Sequence, residues 1–530
     1  MRRWNGWGDE TVTAALPPRG IPFLADLLGP GSRPRDAPLQ DLLGRLPPPR
    51  LPADEGLDAD PLSRLLHARG QSLPDWIALR SGRVGSFPDL VAWPESAADV
   101  KALIGLAQRS GASLIPYGGG TSVVGHVNPR AGAAPAISVD LSRMSLLRRL
   151  DERSHLASFG AGVKGPDLEA ALRTHGFTLG HFPQSFEFST LGGWVATRSC
   201  GQQSLGYGRI ERLFAGGRME TPAGPLEIPV FPASAAGPDL REIVLGSEGR
   251  LGILTEVTVR VSPLPEREEF LAVFFPDWDA GLVATRQIAQ SRLPLSMLRL
   301  ATPEETVVTL VLAGHERMIG ALEGYLRFRG QREAKCLLLV GLTGRGRIVR
   351  SARREVLAAS RSHGGVSAGT AFGERWRRTR FHPPYLRNAL WEAGYAVDTL
   401  ETAVSWSGLP SLQGSVERTL REGLGEIGER VHVFSHLSHL YADGSSLYTT
   451  YLFRLAGDPD EDVRRWQRLK SAASQAIVEE RGTISHQHGV GVDHLPYLAA
   501  EKGTLGLSAL QSLCRHFDPD GLMNPGKLVP

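Results

Sequence analysis

A few short segments carry the side chains best suited to chemistry. In SHQHGVG, His486 and His488 lie two positions apart beside Gly489 and Gly491. In an extended segment that spacing points both imidazoles to one side, and flanking glycine lets a ligand come close. VHVFSHLSHL adds His432, His436 and His439. Together these residues are numerous enough to ligate a metal, but no recognised zinc spacing appears and no metal site is expected. Tyr448, in SSLYTTYLF, falls on an alternating run that predicts a strand, where pattern alone makes it a core or interface side chain. Arg387, in PPYLRNAL, follows two prolines on a predicted helix. It reads either as a solvated helix charge or, since guanidinium suits bidentate phosphate recognition, as an anion anchor.

Glycine supplies the second signal. Tyr117-Gly118-Gly119-Gly120-Thr121-Ser122 follows a predicted strand. Consecutive N–H groups in such a turn form an anion-binding nest. The segment lacks the Gly-Lys-Ser/Thr of a Walker loop, and Val123 stands where a dinucleotide fingerprint needs its third glycine. PQSFEFSTLGGWVATRSCG (Pro183–Gly201) and LGSEGRLGILTE (Leu245–Glu256) repeat the glycine-and-hydroxyl texture. Each glycine weakens a regular element by roughly 0.5–1 kcal/mol. Three such clusters therefore predict backbone closing around a large, planar, phosphorylated ligand, as a dinucleotide cofactor would be.

The elements that must position these residues can be outlined. Residues 1–80 are rich in Pro and Gly and predict short helices and ordered loops wrapped on a larger body. Residues 81–265 alternate strands and helices. Phe87–Pro94 reads as a strand, and Ser96 with Asp99 reads as a capping box opening a helix. Val100, Leu103, Ile104 and Ala107 form that helix's apolar face, and Gly111 closes it. Residues 266–480 predict a second domain, and 481–530 a segment returning to the first. The 530 residues carry 59 Lys+Arg against 56 Asp+Glu, too balanced for a nucleic-acid-coating surface. With 42% hydrophobic and 22% charged residues, wholesale disorder is excluded. Cys200, Cys336 and Cys514 are too scattered for a disulfide framework, which fits a reducing compartment. No secretory signal opens the chain, and the most apolar runs, such as Cys336–Leu342, are far short of the ~20 residues a membrane helix needs. The expectation is a soluble, cytoplasmic protein, with any membrane contact peripheral.

PYGGGTSV, the PQSFEFSTLGGWVATRSCG block and GSEGRLGILTE resemble the FAD-binding domain of the vanillyl-alcohol oxidase (PCMH-type) superfamily. Within it, RWNGWG, WEAGYAVDTLET, SHQHGVG and DPDGLMNPGKL make the chain similar to the alkyldihydroxyacetonephosphate synthase family. The resemblance implies an α+β fold: a two-subdomain FAD-binding domain plus a cap domain built on an antiparallel sheet with helices. It places the pyrophosphate loop on Pro116, Tyr117, Gly118, Gly119, Gly120, Thr121 and Ser122. The flavin-flanking positions fall on Gln184, Ser185, Phe186, Glu187, Phe188, Ser189 and Thr190, on Thr197, Arg198, Ser199 and Cys200, and on Glu248, Gly249, Arg250, Leu251, Gly252, Ile253 and Leu254. Some superfamily members tether flavin through a histidine in the first loop; Val123 and Val124 follow Ser122 here, so noncovalent FAD is expected.

The same resemblance implies roles for the chemistry-bearing residues. Tyr448 would be the acid/base, Arg387 would bind substrate phosphate, and Arg299 in SMLRL would also contribute. The family's histidine run matches His486-Gln487-His488. Gln487 departs from it: glutamine keeps a donor and an acceptor but exchanges no proton near neutral pH. The implied reaction replaces the acyl group of acyl-dihydroxyacetone phosphate with a fatty alcohol. Flavin N5 would bond covalently to carbon 1 without net redox, and a hydrophobic channel in the cap would hold the chains. A homodimer is expected by analogy. The alternative is an FAD-linked oxidase or dehydrogenase of a 2-hydroxy acid or phosphorylated polyol. Relatives of that type place a metal-ligating histidine after an Asp-Gly turn, where this chain has Leu447 and Tyr448 after Asp443-Gly444. A flavin-binding protein without chemistry is the third reading.

Overall fold

Ser96 accepts a hydrogen bond from the Asp99 N–H while the Asp99 carboxylate accepts from the Ser96 N–H. The helix they open, Ala97–Ser110, ends at Gly111 in the left-handed region and buries Val100, Ile104 and Ala107. It is the crossover of a small sheet in which Leu90–Ala92 and Ser113–Tyr117 both run parallel to Ala136–Asp140. The chain described by the computed structural model comprises residues 2–529, apart from 54, 55, 133 and 315.

A five-stranded antiparallel sheet lies beside the first, in the order Leu147–Asp151, Leu156–Gly160, Ile253–Arg260, Phe214–Thr221, Gly224–Ile228. One apolar core joins both sheets and takes in Cys514, Leu522 and Met523 from the far end of the chain. Met523 forms a parallel bridge with Leu114.

The second large sheet has seven strands, ordered Val366–Ser367, Arg267–Phe275, Cys336–Gly344, Leu295–Ala301, His432–Leu437, Gly444–Arg454, Tyr395–Ser405. All its registered pairs are antiparallel. Along Arg267–Phe275 the side chains divide by strict alternation: Leu271, Val273 and Phe275 join one core, Phe270, Ala272 and Phe274 the other. Helices Leu409–Glu422 and Pro459–Glu479 pack against the first of these faces. Trp7, Leu73, Trp76 and Ile77 belong to that same core, so the amino-terminal residues form an integral part of the cap's packing. Among the described residues no helix is long and apolar enough to cross a membrane.

The junction between the returning segment and the cap holds a testable strain. Asp493 is partly accessible as a residue, but its Oδ2 is buried without a hydrogen-bond partner. Burial, opposed by Lys470 and reinforced by Asp398, pushes its carboxyl up to about 7 from 3.8. The folded state then holds a proton that the unfolded state has released, so this group lowers stability as pH rises from about 4 to about 7. Asp493→Asn removes the penalty. Its melting temperature is expected to match wild type near pH 4 and exceed it at pH 8, by the equivalent of roughly 2–4 kcal/mol. An offset that does not change with pH would contradict this account.

Candidate active site

Three neighbouring strands of the cap sheet set the reacting groups abreast. Tyr448 is registered opposite Glu401 on one side and His436 on the other. Directly paired residues in an antiparallel sheet project from the same face. The Tyr448 ring stacks on His436, with centroids 4.9 Å apart and planes at 21°, and meets the His488 ring at right angles at 6.1 Å. Burial pushes the Tyr448 phenol well above its usual range, a shift reduced by a hydrogen bond with Thr399 and the nearby Arg387. Burial also holds the His488 imidazolium down to about 4, so the ring is neutral at neutral pH.

Tyr448 and His488 open into a cavity of about 880 Å³, at the large end for small-molecule sites. Its other wall is the glycine-rich part of the first domain: Pro116 to Ser122, Gln184, Ser185, Ser189, Thr190, Thr197, Ser199, Cys200, Glu248, Gly249, Gly252 and Leu254 all line it. Several expected contacts do not. Phe186 stacks on Phe381 at 5.0 Å, and Phe188 meets Trp7 edge-on. Glu187 lies beside Tyr385. Arg198, in the left-handed region, turns out to Glu242. Arg250 pairs with Asp518, while Leu251 and Ile253 belong to the core. Phe186 to Phe188 fall together on the far side of a turn, and the other two stretches each turn single or paired side chains away from the cavity.

The loop fits a dinucleotide. The backbone N–H groups from Gly119 to Ser122 have no acceptor among the described residues and line the cavity in succession, a nest for a pyrophosphate. The glycines themselves answer to a different demand. A Cβ on Gly119 would fall 1.9 Å from the Phe188 carbonyl oxygen, and one on Gly118 2.3 Å from Thr190 Oγ1. They let two cofactor-facing segments touch each other. His126, the histidine of this loop, is hydrogen-bonded at Nδ1, 2.9 Å from Ser122 Oγ, while its Nε2 lies 3.1 Å from Glu248 Oε2 in a geometry too poor for a hydrogen bond.

The two arginines differ in kind. Arg387 stands on helix Pro383–Glu392, whose prolines occupy the first turn where no N–H is needed. Its Nη1 donates to the Gln71 carbonyl at 2.8 Å, and its guanidinium lies 4.3 Å from the Trp76 ring centroid. It lines the cavity and forms no ion pair among the described residues. Burial, offset by the more distant Asp398, lowers its pKa to about 10. Arg299 also lines the cavity but is neutralised by Glu305. Glu305 would be raised by burial, yet Arg299 and His436 hold it at about 2. Since His436 Nδ1 lies 2.8 Å from Glu305 Oε2 and 3.2 Å from the Arg299 guanidinium, this trio fixes the ring on which Tyr448 stacks.

His486 does not share the side of His488. The chain is bent through residues 486–488 rather than extended, and Gln487 and His488 line the cavity while His486 is turned into the protein. There His486 Nε2 lies 2.6 Å from both Arg209 Nη1 and Tyr441 Oη. A guanidinium only donates, so Nε2 accepts and the ring proton is assigned to Nδ1. That Nδ1 sits 3.2 Å from Glu401 Oε1, close enough for attraction though poorly angled for a hydrogen bond. His439 Nε2 lies 3.7 Å from the same oxygen. Burial would raise the Glu401 carboxyl; the imidazoles of His486, His439 and His488 outweigh that and keep it well below its usual range. Glu401, His439 and His486 are close enough together to suggest a cation site. The two rings stack at 5.0 Å with planes at 22°, so their lone pairs run side by side, and the Arg209 guanidinium repels a cation. The arrangement is that of a hydrogen-bonded network.

Comparison with known proteins bears directly on this architecture. Residues 88–227 match the FAD binding domain family, and residues 264–528 match the C-terminal domain of FAD linked oxidases. An alkyldihydroxyacetonephosphate synthase from Dictyostelium discoideum is 34% identical over 481 residues, 89% of this chain and 78% of the relative. The synthase from Trypanosoma brucei brucei is 29% identical, covering 100% of this chain and 92% of its own length. A solved alkyldihydroxyacetonephosphate synthase superimposes with a TM-score of 0.85 at 30% identity, over 99% of both chains. The chain belongs to the alkyldihydroxyacetonephosphate synthase family. It is an FAD-dependent enzyme. Three groups in this synthase-family site escaped the sequence reading: Glu401, Arg209 and Tyr441. Glu401 lies inside WEAGYAVDTLET, a segment that carries the resemblance, but its residue-level signal is no more than an acidic residue flanked by apolar and small ones on an alternating strand.

Proposed function

We propose that this protein replaces the acyl group of a 1-acyl dihydroxyacetone phosphate with a long-chain alkoxy group. The carbon 1–acyl oxygen bond breaks, a carbon 1–alkoxy oxygen bond forms, and the alcohol's proton leaves with the fatty acid, so nothing is oxidised. The observation carrying this reading is the conjunction, in one cavity, of a guanidinium that forms no ion pair among the described residues with Tyr448 and His488. FAD, when bound, supplies its N5 centre to substrate carbon 1. Arg387 holds the phosphate, so remote binding energy places the reacting carbon. Tyr448 moves the carbon 1 proton beside the neutral imidazole of His488.

The cavity runs on between helices Gly20–Leu28 and Pro303–Ala313, where Leu16, Phe23, Leu24, Val311 and Leu312 line it. That apolar arm suits the fatty alcohol. Met318, Tyr325 and Phe328 are exposed on the next helix, beside Arg317 and Arg327, which supports a peripheral membrane contact at the arm's end. The FAD is taken to be noncovalent, since Val123 and Val124 follow Ser122 where a tethering histidine would be expected.

Two parallel incubations test the reading. One contains acyl-dihydroxyacetone phosphate and hexadecanol, the other D-2-hydroxy acids with an artificial electron acceptor. Ether lipid in the first tube is expected; dye bleaching in the second, without ether product, would assign the protein to the oxidoreductases. The purified protein is expected to be yellow and to release all its flavin in acid. Chromophore remaining on the denatured chain would refute the noncovalent assignment.

A further inference from the structure

Gln487 lies between His486 and His488, and its contacts say what the position does here. Its Nε2 donates to Glu401 Oε2, and its Oε1 accepts from the Cys200 backbone N–H at 3.2 Å. The amide orientation is fixed by its partners, because the flipped form would set oxygen against carboxylate and NH2 against N–H. Glu401 is 1% exposed and also receives Ser438 Oγ. Cys200 ends the stretch Thr197–Cys200 and lines the cavity on its cofactor side. One side chain thus ties the buried carboxylate of the cap sheet to the backbone of the flavin-facing segment.

We propose that Gln487 is a positioning residue, a fixed bridge between Glu401 and the Cys200 N–H, and that no proton passes through position 487 during turnover. A neutral imidazole also offers one donor and one acceptor, so histidine and glutamine can build the same bridge. Only histidine can then break it, by taking a second proton and turning a donor against the Cys200 N–H. The proton-carrying duty stays with Tyr448 and His488. This inference rests on the exchange reaction proposed above.

The test compares wild type, Gln487→Leu and Gln487→His in the ether-forming assay from pH 6 to pH 9, with the flavin absorption band recorded in parallel. Gln487→Leu is expected to lose kcat roughly 10- to 100-fold, the factor carried by one hydrogen bond to a charged group, with KM for the phosphorylated substrate within about twofold. Gln487→His is expected to approach wild-type kcat at pH 9 and to decline with acid, along a limb that wild type lacks. Glu401 and Cys200 contact position 487, His486 and His488 flank it in the chain, and His439, Arg209 and Tyr441 join through Cys200 or His486; all are present in wild type, so a limb seen only in the variant belongs to position 487. Wild-type kcat in Gln487→Leu, a loss confined to KM, or a wild-type pH profile in Gln487→His would each overturn the proposal. If Gln487→Leu does not fold, Gln487→His decides. If wild type itself forms no ether product, the exchange reaction has failed, and the flavin band decides the bridge: an acid-dependent shift in Gln487→His alone supports it, and identical titrations refute it.

Discussion

Tyr448→Phe is expected to bind FAD as wild type does and to form ether product about 100- to 10,000-fold more slowly, the range a positioned acid or base contributes. The substitution removes one oxygen and leaves the ring that stacks on His436 and abuts His488. The phenylalanine keeps the ring's packing within the cap sheet, so cofactor content and melting temperature should change little. The burial that keeps the phenol protonated at rest equips it to hold a proton in place next to the reacting carbon. Two measurements separate this role from a packing role: kcat, and the exchange of the carbon 1 hydrogen with deuterated solvent. Both should fall together. Undiminished exchange in the phenylalanine variant would pass the proton step to His488, whose neutral ring is the other base within reach.

Where the sequence was legible, the signal was local. The Ser96–Asp99 cap, Gly111 and the strand carrying Tyr448 each depend on residues within one turn or one alternation, and all appear where expected. The glycine loop was legible as a cofactor wall, but for an incomplete reason: Gly118 and Gly119 are needed to let Thr190 and Phe188 come close. The network around His486 was not legible. Arg209 and His486 are 277 positions apart, and Glu401 reaches both histidines from a strand whose pattern shows only alternation. Such contacts exist only once the sheet register has been set. The common direction expected of His486 and His488 failed because it needs an extended backbone, and the chain bends at residues 486–488 themselves. The amino-terminal residues read as short helices and ordered loops wrapped on a larger body; what that reading did not give is which body, and Trp7 and Trp76 are core residues of the cap.

Arg387→Met should separate phosphate recognition from everything else. Truncating one member of a buried charge pair costs about 2–5 kcal/mol, which is roughly 30- to 4,000-fold in kcat/KM for a phosphorylated substrate. An unphosphorylated analogue should lose less than about threefold, since nothing in it needed the guanidinium. Without substrate the balance reverses. Arg387 is then a buried cation held by one carbonyl and the face of Trp76, with no carboxylate in ion-pair range among the described residues. Its burial disfavours the charged form, so the chain gives up stability to keep this charge in place for its ligand. The methionine variant, which keeps the apolar stem against Trp76, is therefore expected to melt at or above the wild-type temperature when both carry FAD. It should also lose the thermal stabilisation that the phosphorylated substrate gives wild type. Equal losses for phosphorylated and unphosphorylated substrates would remove Arg387 from phosphate binding. A lower melting temperature with phosphate selectivity intact would make it a structural arginine, and the phosphate would then have to be held by another cavity-lining cation, of which Arg299 is already neutralised by Glu305.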